Sequence, residues 1–220
     1  MTTFYDGAEC NATLSRESGD MPMKRKRLLL TGFEPFGGRG INSSWELIRG
    51  FSGIHGKYLV ETACLPVTHK KAGKALDPYL KKFDPHIVIC FGESPDDFFA
   101  LERVAVNLAD FPGRKDNAGK TVIATPLSKK GSAAYFSTLP LEKIHKALAA
   151  KKIPVQYSLS AGAYLCNEIF YHAMQKTEKK KKVKAGFIHV PRLPEEKGAL
   201  RQRLKTAYAS DPLAAILSAL

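Results

Sequence analysis

Along most of the chain, short apolar runs alternate with stretches whose apolar residues recur at helical spacing. RLLLTGF (27–33), YLVETACL (58–65), HIVICFG (86–92), VQYSLS (155–160) and AGFIHVP (185–191) read as buried strands. Between them, the segment 44–49 follows Asn42 and Ser43, residue types that cap helix N-termini well. Asp77-Pro78 fits an N-cap and first helical position for turns running to Phe83. The stretch 68–76 is helical in pattern too, so one longer helix kinked at the proline is the competing reading. In LPLEKIHKALAAKK, Leu141, Ile144 and Leu148 share a face; in LCNEIFYHAMQK, Cys166, Ile169 and Ala173 do. The tail DPLAAILSAL again opens with Asp-Pro before apolar helix formers.

This alternation predicts an α/β fold, a three-layer α/β/α sandwich around a twisted, mostly parallel sheet. Residues 1–23 are polar and weakly patterned, and are expected to form a flexible N-terminal extension without the order of a secretory signal. No repeat, linker or composition break divides 24–220, so a single α/β domain is expected there.

Composition narrows the classes. With 44% hydrophobic and 25% charged residues in 220, the chain is long and apolar enough for a real core, which excludes disorder as the default. No apolar run approaches the ~20 residues that span a bilayer, so no membrane partner is expected. The net charge of +13 raises the question of a nucleic-acid partner. Much of it lies in KRKR (24–27) and KTEKKKKVK (176–184), without an aromatic-interleaved groove, and a solvated role with no nucleic acid is expected. Cys10, Cys64, Cys90 and Cys166 show neither CxxC spacing nor a paired-histidine pattern, so no metal is expected and a reducing cytoplasm fits. Cys64 and Cys90 read as small strand hydrophobes.

Cys166 differs. It lies where SAGAY gives way to a helix, and the first turn of a helix favours the thiolate, the reactive form of the thiol. Such a nucleophile needs a base, and the base needs a group to orient it. His189 ends an apolar strand before Pro191, and Glu102 opens an apolar segment in which a lone carboxylate is costly. On spacing alone each also fits a structural role. TGFEPFGGRGIN follows a strand but lacks both GxGxxG and GxxxxGK[ST], and Pro35 removes a backbone donor. Phe33 and Phe36 offer two aromatic faces suited to a flat, neutral ring, although both also fit the core. In folds of this class ligands gather outside the carboxyl ends of the strands, where all these segments fall.

Taken together, LLLTGFEPFGGRGINSSWE, LERVAVN, DNAG, AYFSTLP, SAGAYLCNEIFYHAM and GFIHVPRLPE resemble the pyrrolidone-carboxylate peptidase (pyroglutamyl peptidase I) family, in family order from Leu28 to Glu195. The resemblance implies a cytoplasmic cysteine peptidase that removes an N-terminal pyroglutamyl residue from peptides through a thioester, without metal or cofactor. It also implies an α/β/α sandwich and a homo-oligomer, commonly a tetramer. Carried over, the nucleophile falls on Cys166, the histidine on His189 and the glutamate on Glu102. The aromatic residues that hold the lactam fall on Phe33 and Phe36, with Asn42, Glu93 and Arg114 as further substrate-binding positions.

The chain departs from the family where a Gln-Ala-Gly-Gly-Arg-like stretch is common and Glu93-Ser94-Pro95-Asp96-Asp97 stands instead. A glutamine both donates and accepts; an ionised glutamate only accepts. This leaves an alternative open, in which the same triad acts on a different lactam or capped N-terminus. The loop NLADFPGRKDNAG carries an extra residue, with Arg114 expected to replace the family arginine before its Asp-Asn.

Overall fold

A computed structural model describes residues 25–180, 182–193 and 211–220. The expected extension at 1–23 and Cys10 lie outside the described residues.

The apolar runs become strands β1 (Lys26–Phe33), β3 (Tyr58–Leu65), β4 (Ile87–Ser94), β8 (Val155–Ser158) and β9 (Lys184–Pro191). Two strands not expected from the sequence join them, β2 (Gly53–His55) and β5 (Phe99–Glu102). The seven form one sheet in the order β2-β3-β1-β4-β9-β5-β8. The pairs β1–β3, β1–β4 and β4–β9 are parallel, whereas β5 runs antiparallel to β9 and β2 antiparallel to β3. A separate two-stranded ribbon joins β6 (Val104–Val106) to β7 (Ala134–Phe136).

The central strands are apolar throughout because both faces are covered. Leu29, Val88, Cys90, Ala185 and Phe187 face a core shared with helices α2 (Lys71–Lys82) and α4 (Leu165–Thr177). Leu28, Leu30, Ile87, Ile89, Ile188 and Val190 face a second core. It is completed by α1 (Ser43–Ile48), α3 (Leu141–Ala150) and a last helix, α5 (Pro212–Ser218). The expected three layers are present. No helix among the described residues is long and apolar enough to cross a membrane.

Asn42 caps α1, its Oδ1 accepting from Ser44 N at 3.1 Å, and Asp211 caps α5 by accepting from Ala214 N at 2.9 Å. Asp77-Pro78 does not start a helix. α2 begins after Lys70 and continues through Pro78, because Ala72, Leu76 and Leu80 form one buried stripe against α4. Asp77 Oδ1 instead meets His172 Nε2 of α4 at 2.8 Å and Lys176 Nζ at 3.4 Å.

Candidate active site

The chain leaves β8 through a turn with Gly162 at φ +72° and enters α4 with Cys166 as its second residue. Tyr164 precedes the helix without a side-chain cap, and its carbonyl accepts from Glu168 N at 3.1 Å. The amides of Leu165 and Cys166 therefore have no intrahelical acceptor, and they put the positive end of the helix dipole at the sulfur. Neighbouring residues pin this turn. Asn167 accepts from Val106 N at 2.9 Å and donates to the carbonyls of Val106 and Leu108, both at 2.9 Å. Glu168 accepts from Lys70 N and meets His69 Nδ1, both at 2.6 Å.

His189 comes from β9. The strand period of two puts it on the same face as Ala185 and Phe187, the face that α4 covers. Its register partner on β4 is Gly92, where an added Cβ would lie 2.8 Å from Cys166 Sγ. The missing side chain gives the sulfur its place beside the ring. On the other side of β9, antiparallel pairing sets Ala100 opposite His189 and Glu102 opposite Phe187. Glu102 Oε1 lies 2.7 Å from His189 Nδ1, and Glu102 is 1% exposed. Its Oε2 has no hydrogen-bond partner among the described residues.

Burial works against a charged imidazole here. The Cys166 sulfur, to which the ring hydrogen-bonds, and the hydrogen-bonded Glu102 carboxyl outweigh burial and push His189 up to about 10. The other described thiols stay neutral at physiological pH. Burial and the nearby Glu34 push Cys64 up to about 11, and complete burial pushes Cys90 up to about 12.

Cys166, His189 and Glu102 line a cavity of about 420 Å³ at the carboxyl ends of β1, β4 and β9. Phe33, Phe36, Asn42, Glu93 and Arg114 line it as well, so every residue singled out in the sequence reaches one place. Their roles differ. Phe33 is buried and also belongs to the α2–α4 core, while Phe36 packs on that core from its edge. The Arg114 guanidinium lies between the rings of Phe36 and Tyr164, at 4.8 and 4.5 Å from their centroids. Asn42 ties the loop together, donating to Glu34 O at 3.0 Å.

Glu93 does not point a bare carboxylate at the cavity. Its Oε2 accepts from Ser43 N and Ser43 Oγ at 2.9 and 2.8 Å, and its Oε1 accepts from Arg192 Nε at 2.9 Å. Arg39 Nε stands 3.6 Å from the same Oε1. Gly92, Tyr164 and Glu168 were not marked by the sequence. A glycine at a strand end just before a polar loop is the signal for the first, and nothing local marks the other two.

The family model described as pyroglutamyl peptidase matches residues 26–219. A Bacillus cereus (strain G9842) pyrrolidone-carboxylate peptidase is 41% identical over 179 residues, covering 78% of this chain and 80% of that protein. A Bacillus anthracis pyrrolidone-carboxylate peptidase is 39% identical over the same coverage. Among solved structures, the Bacillus amyloliquefaciens pyroglutamyl peptidase I superposes with a TM-score of 0.80 at 33% identity, over 89% of this chain and 97% of that one. A pyrrolidone carboxyl peptidase from Pyrococcus furiosus gives 0.77 at 33%, over 87% and 98%. With a matched model spanning nearly the whole chain and relatives this similar, the chain belongs to the pyroglutamyl peptidase family of cysteine exopeptidases.

Proposed function

We propose that this chain removes an N-terminal pyroglutamyl residue from peptides, with Cys166 as nucleophile, His189 as acid–base and Glu102 as the group that orients it. The observation that carries the assignment is the line of sulfur, imidazole and carboxylate inside a cavity whose wall includes Phe33 and Phe36. The flat, uncharged lactam lies against these aromatic faces, since pyroglutamate has no α-ammonium that would call for a counter-ion.

Cys166 Sγ attacks the pyroglutamyl carbonyl carbon, and the oxygen takes up negative charge within reach of the free amides at the start of α4. As the tetrahedral adduct collapses, the C–N bond breaks and His189 passes its proton to the departing amine. The thioester that remains is attacked by water, whose proton returns to the now neutral imidazole. Sulfur leaves as thiolate, pyroglutamic acid is released, and the ion pair is restored. Glu102 keeps Nδ1 protonated throughout, so that the other ring nitrogen faces the chemistry.

Release of a chromophore from a pyroglutamyl amide tests the reading. Cys166→Ser is expected to reduce turnover by several orders of magnitude, as nucleophile–base units do when one member is removed. Wild-type turnover in that variant refutes Cys166 as nucleophile. The Glu93 carboxylate, held by Ser43 and Arg192, gives no ground for a different lactam. Homotetramer formation and a cytoplasmic setting belong to the same reading. Ile54 and Leu59, 60% and 39% exposed on the β2–β3 edge, support the first, and the free thiols of Cys64, Cys90 and Cys166 support the second. Sedimentation of the native chain tests the assembly.

A further inference from the structure

We propose that Asp96, with Phe98 beside it, makes the enzyme favour substrates in which the residue after pyroglutamate is lysine or arginine. This inference rests on the peptidase reading and extends it to the residue that leaves. The segment joining β4 to β5 has to cross the carboxyl end of β9, because Ser94 pairs with Pro191 on one side of that strand and Ala100 with His189 on the other. Alternate side chains along this crossing, those of Ser94, Asp96, Phe98, Ala100 and Glu102, line the same cavity as Cys166 and His189, and Pro95 adds to its rim. Phe98 is thus the next of these residues outward from Ala100, the register partner of His189. Asp96 follows it and is exposed, at the mouth.

The chemistry sets the direction. With the lactam against Phe33 and Phe36 and the acyl carbon at Cys166, the departing amine must meet His189, its proton donor. Inward from His189 the way is closed by Glu102 and Phe187, which lie opposite each other and are buried. The leaving residue therefore runs outward. Two residues of extended chain advance about 7 Å, so Phe98 stands one such step beyond the level of His189. A lysine or arginine side chain rooted at that level crosses the Phe98 ring and brings its charge toward Asp96.

The other charged groups of the cavity are already engaged. Glu93 holds Ser43 and Arg192, Glu102 and His189 hold each other, and Arg114 is stacked between Phe36 and Tyr164 on the lactam side. Asp96 is different. Ser94 Oγ donates to its Oδ2 at 2.6 Å, and Asp96 N donates to Ser94 Oγ at 3.2 Å, which fixes the carboxylate without neutralising it. No cation pairs with Asp96 among the described residues. The half-buried Phe98 ring offers a face to the methylene stem of a long cationic side chain. A leaving residue of that kind satisfies ring and carboxylate together, whereas an acidic one meets Asp96 as a like charge.

The test compares three amidated peptides, pyroglutamyl-Lys-Ala, pyroglutamyl-Gln-Ala and pyroglutamyl-Glu-Ala, at low ionic strength, with a pyroglutamyl coumarin amide as reference. Because Asp96 is exposed the effect is modest. Wild-type enzyme is expected to favour the Lys peptide about threefold over Gln and about tenfold over Glu in kcat/KM, largely through KM. Raising the salt to about 1 M should flatten these ratios. Asp96→Asn is expected to bring the Lys and Glu peptides within about twofold of each other, and Asp96→Lys to reverse their order. Equal kcat/KM for the three peptides in the wild type overturns the proposal. So does a Lys preference that persists undiminished in Asp96→Asn. An inert coumarin amide in the wild type overturns the peptidase reading itself, and this inference with it.

Discussion

At position 92 an added side-chain carbon would lie 2.8 Å from Cys166 Sγ and 2.6 Å from Phe187 Cζ, closer than carbon atoms settle. Gly92→Ala is therefore expected to displace the sulfur while sparing the fold. A displacement of this size in a catalytic pair costs about 100-fold in kcat with KM little changed, read from steady-state kinetics beside a circular dichroism spectrum. His189 makes a prediction of its own. Its folded pKa, about 10, lies above the ~6.5 of an unfolded histidine. The stabilisation is thus fully present below pH ~6.5 and is lost as pH rises through about 10. The melting-temperature advantage of the wild type over His189→Gln should shrink steadily between those limits. At this scale the sequence marks candidate side chains but not their spacing. Cys166, His189 and Glu102 carry recognisable chemistry, whereas Gly92 acts through what it lacks and becomes visible only when β4 is aligned with β9.

Helices and strands carry a different kind of result. Pro78 sits exposed inside α2, where it withholds the N–H that would reach the Lys74 carbonyl. Pro78→Ala should restore that bond and stabilise the protein by about 1 kcal/mol, the helix gain being offset in part by a freer unfolded chain. For a chain of this length that is a rise of roughly 2–4 °C in Tm, measured by calorimetry. The local rule for Asp-Pro failed at this point because tertiary packing of Ala72, Leu76 and Leu80 against α4 outweighs one missing hydrogen bond. The same dipeptide at Asp211-Pro212 obeys the rule, Asp211 accepting from Ala214 N as the cap and Pro212 opening the helix. The long apolar strands were legible because burial on both faces makes them continuous. β5 was not, since four residues offer too little pattern and their antiparallel sense is decided by β9.

Across the whole molecule, the site depends on segments far apart in sequence being held together at one end of the sheet. Glu93 joins three of them. It binds Ser43 at the start of α1, 50 positions away, and Arg192 beyond β9, 99 positions away. Leu193 N donates to Ser43 Oγ at 2.6 Å and closes the cluster. Glu93→Gln leaves Arg39 and Arg192 facing a neutral group. Breaking a buried ion pair costs about 3 kcal/mol, here at the low end because the Arg192 side chain is 41% exposed. The expected fall in Tm is roughly 6–12 °C, with kcat on a pyroglutamyl amide changed less than about tenfold at 25 °C. A collapse of kcat in a folded variant would instead place Glu93 against the substrate. Such long-range partners leave no trace in local pattern, which is why an acidic residue at 93 read as a change of specificity rather than as a structural tie. If Cys166 carries the pyroglutamyl group as a thioester, acid-quenched turnover followed by peptide mass spectrometry traps it there. A pyroglutamyl adduct is expected on the peptide containing Cys166 and is expected to be absent in Cys166→Ser. Steady turnover with no adduct there, or with the adduct on another residue, contradicts it.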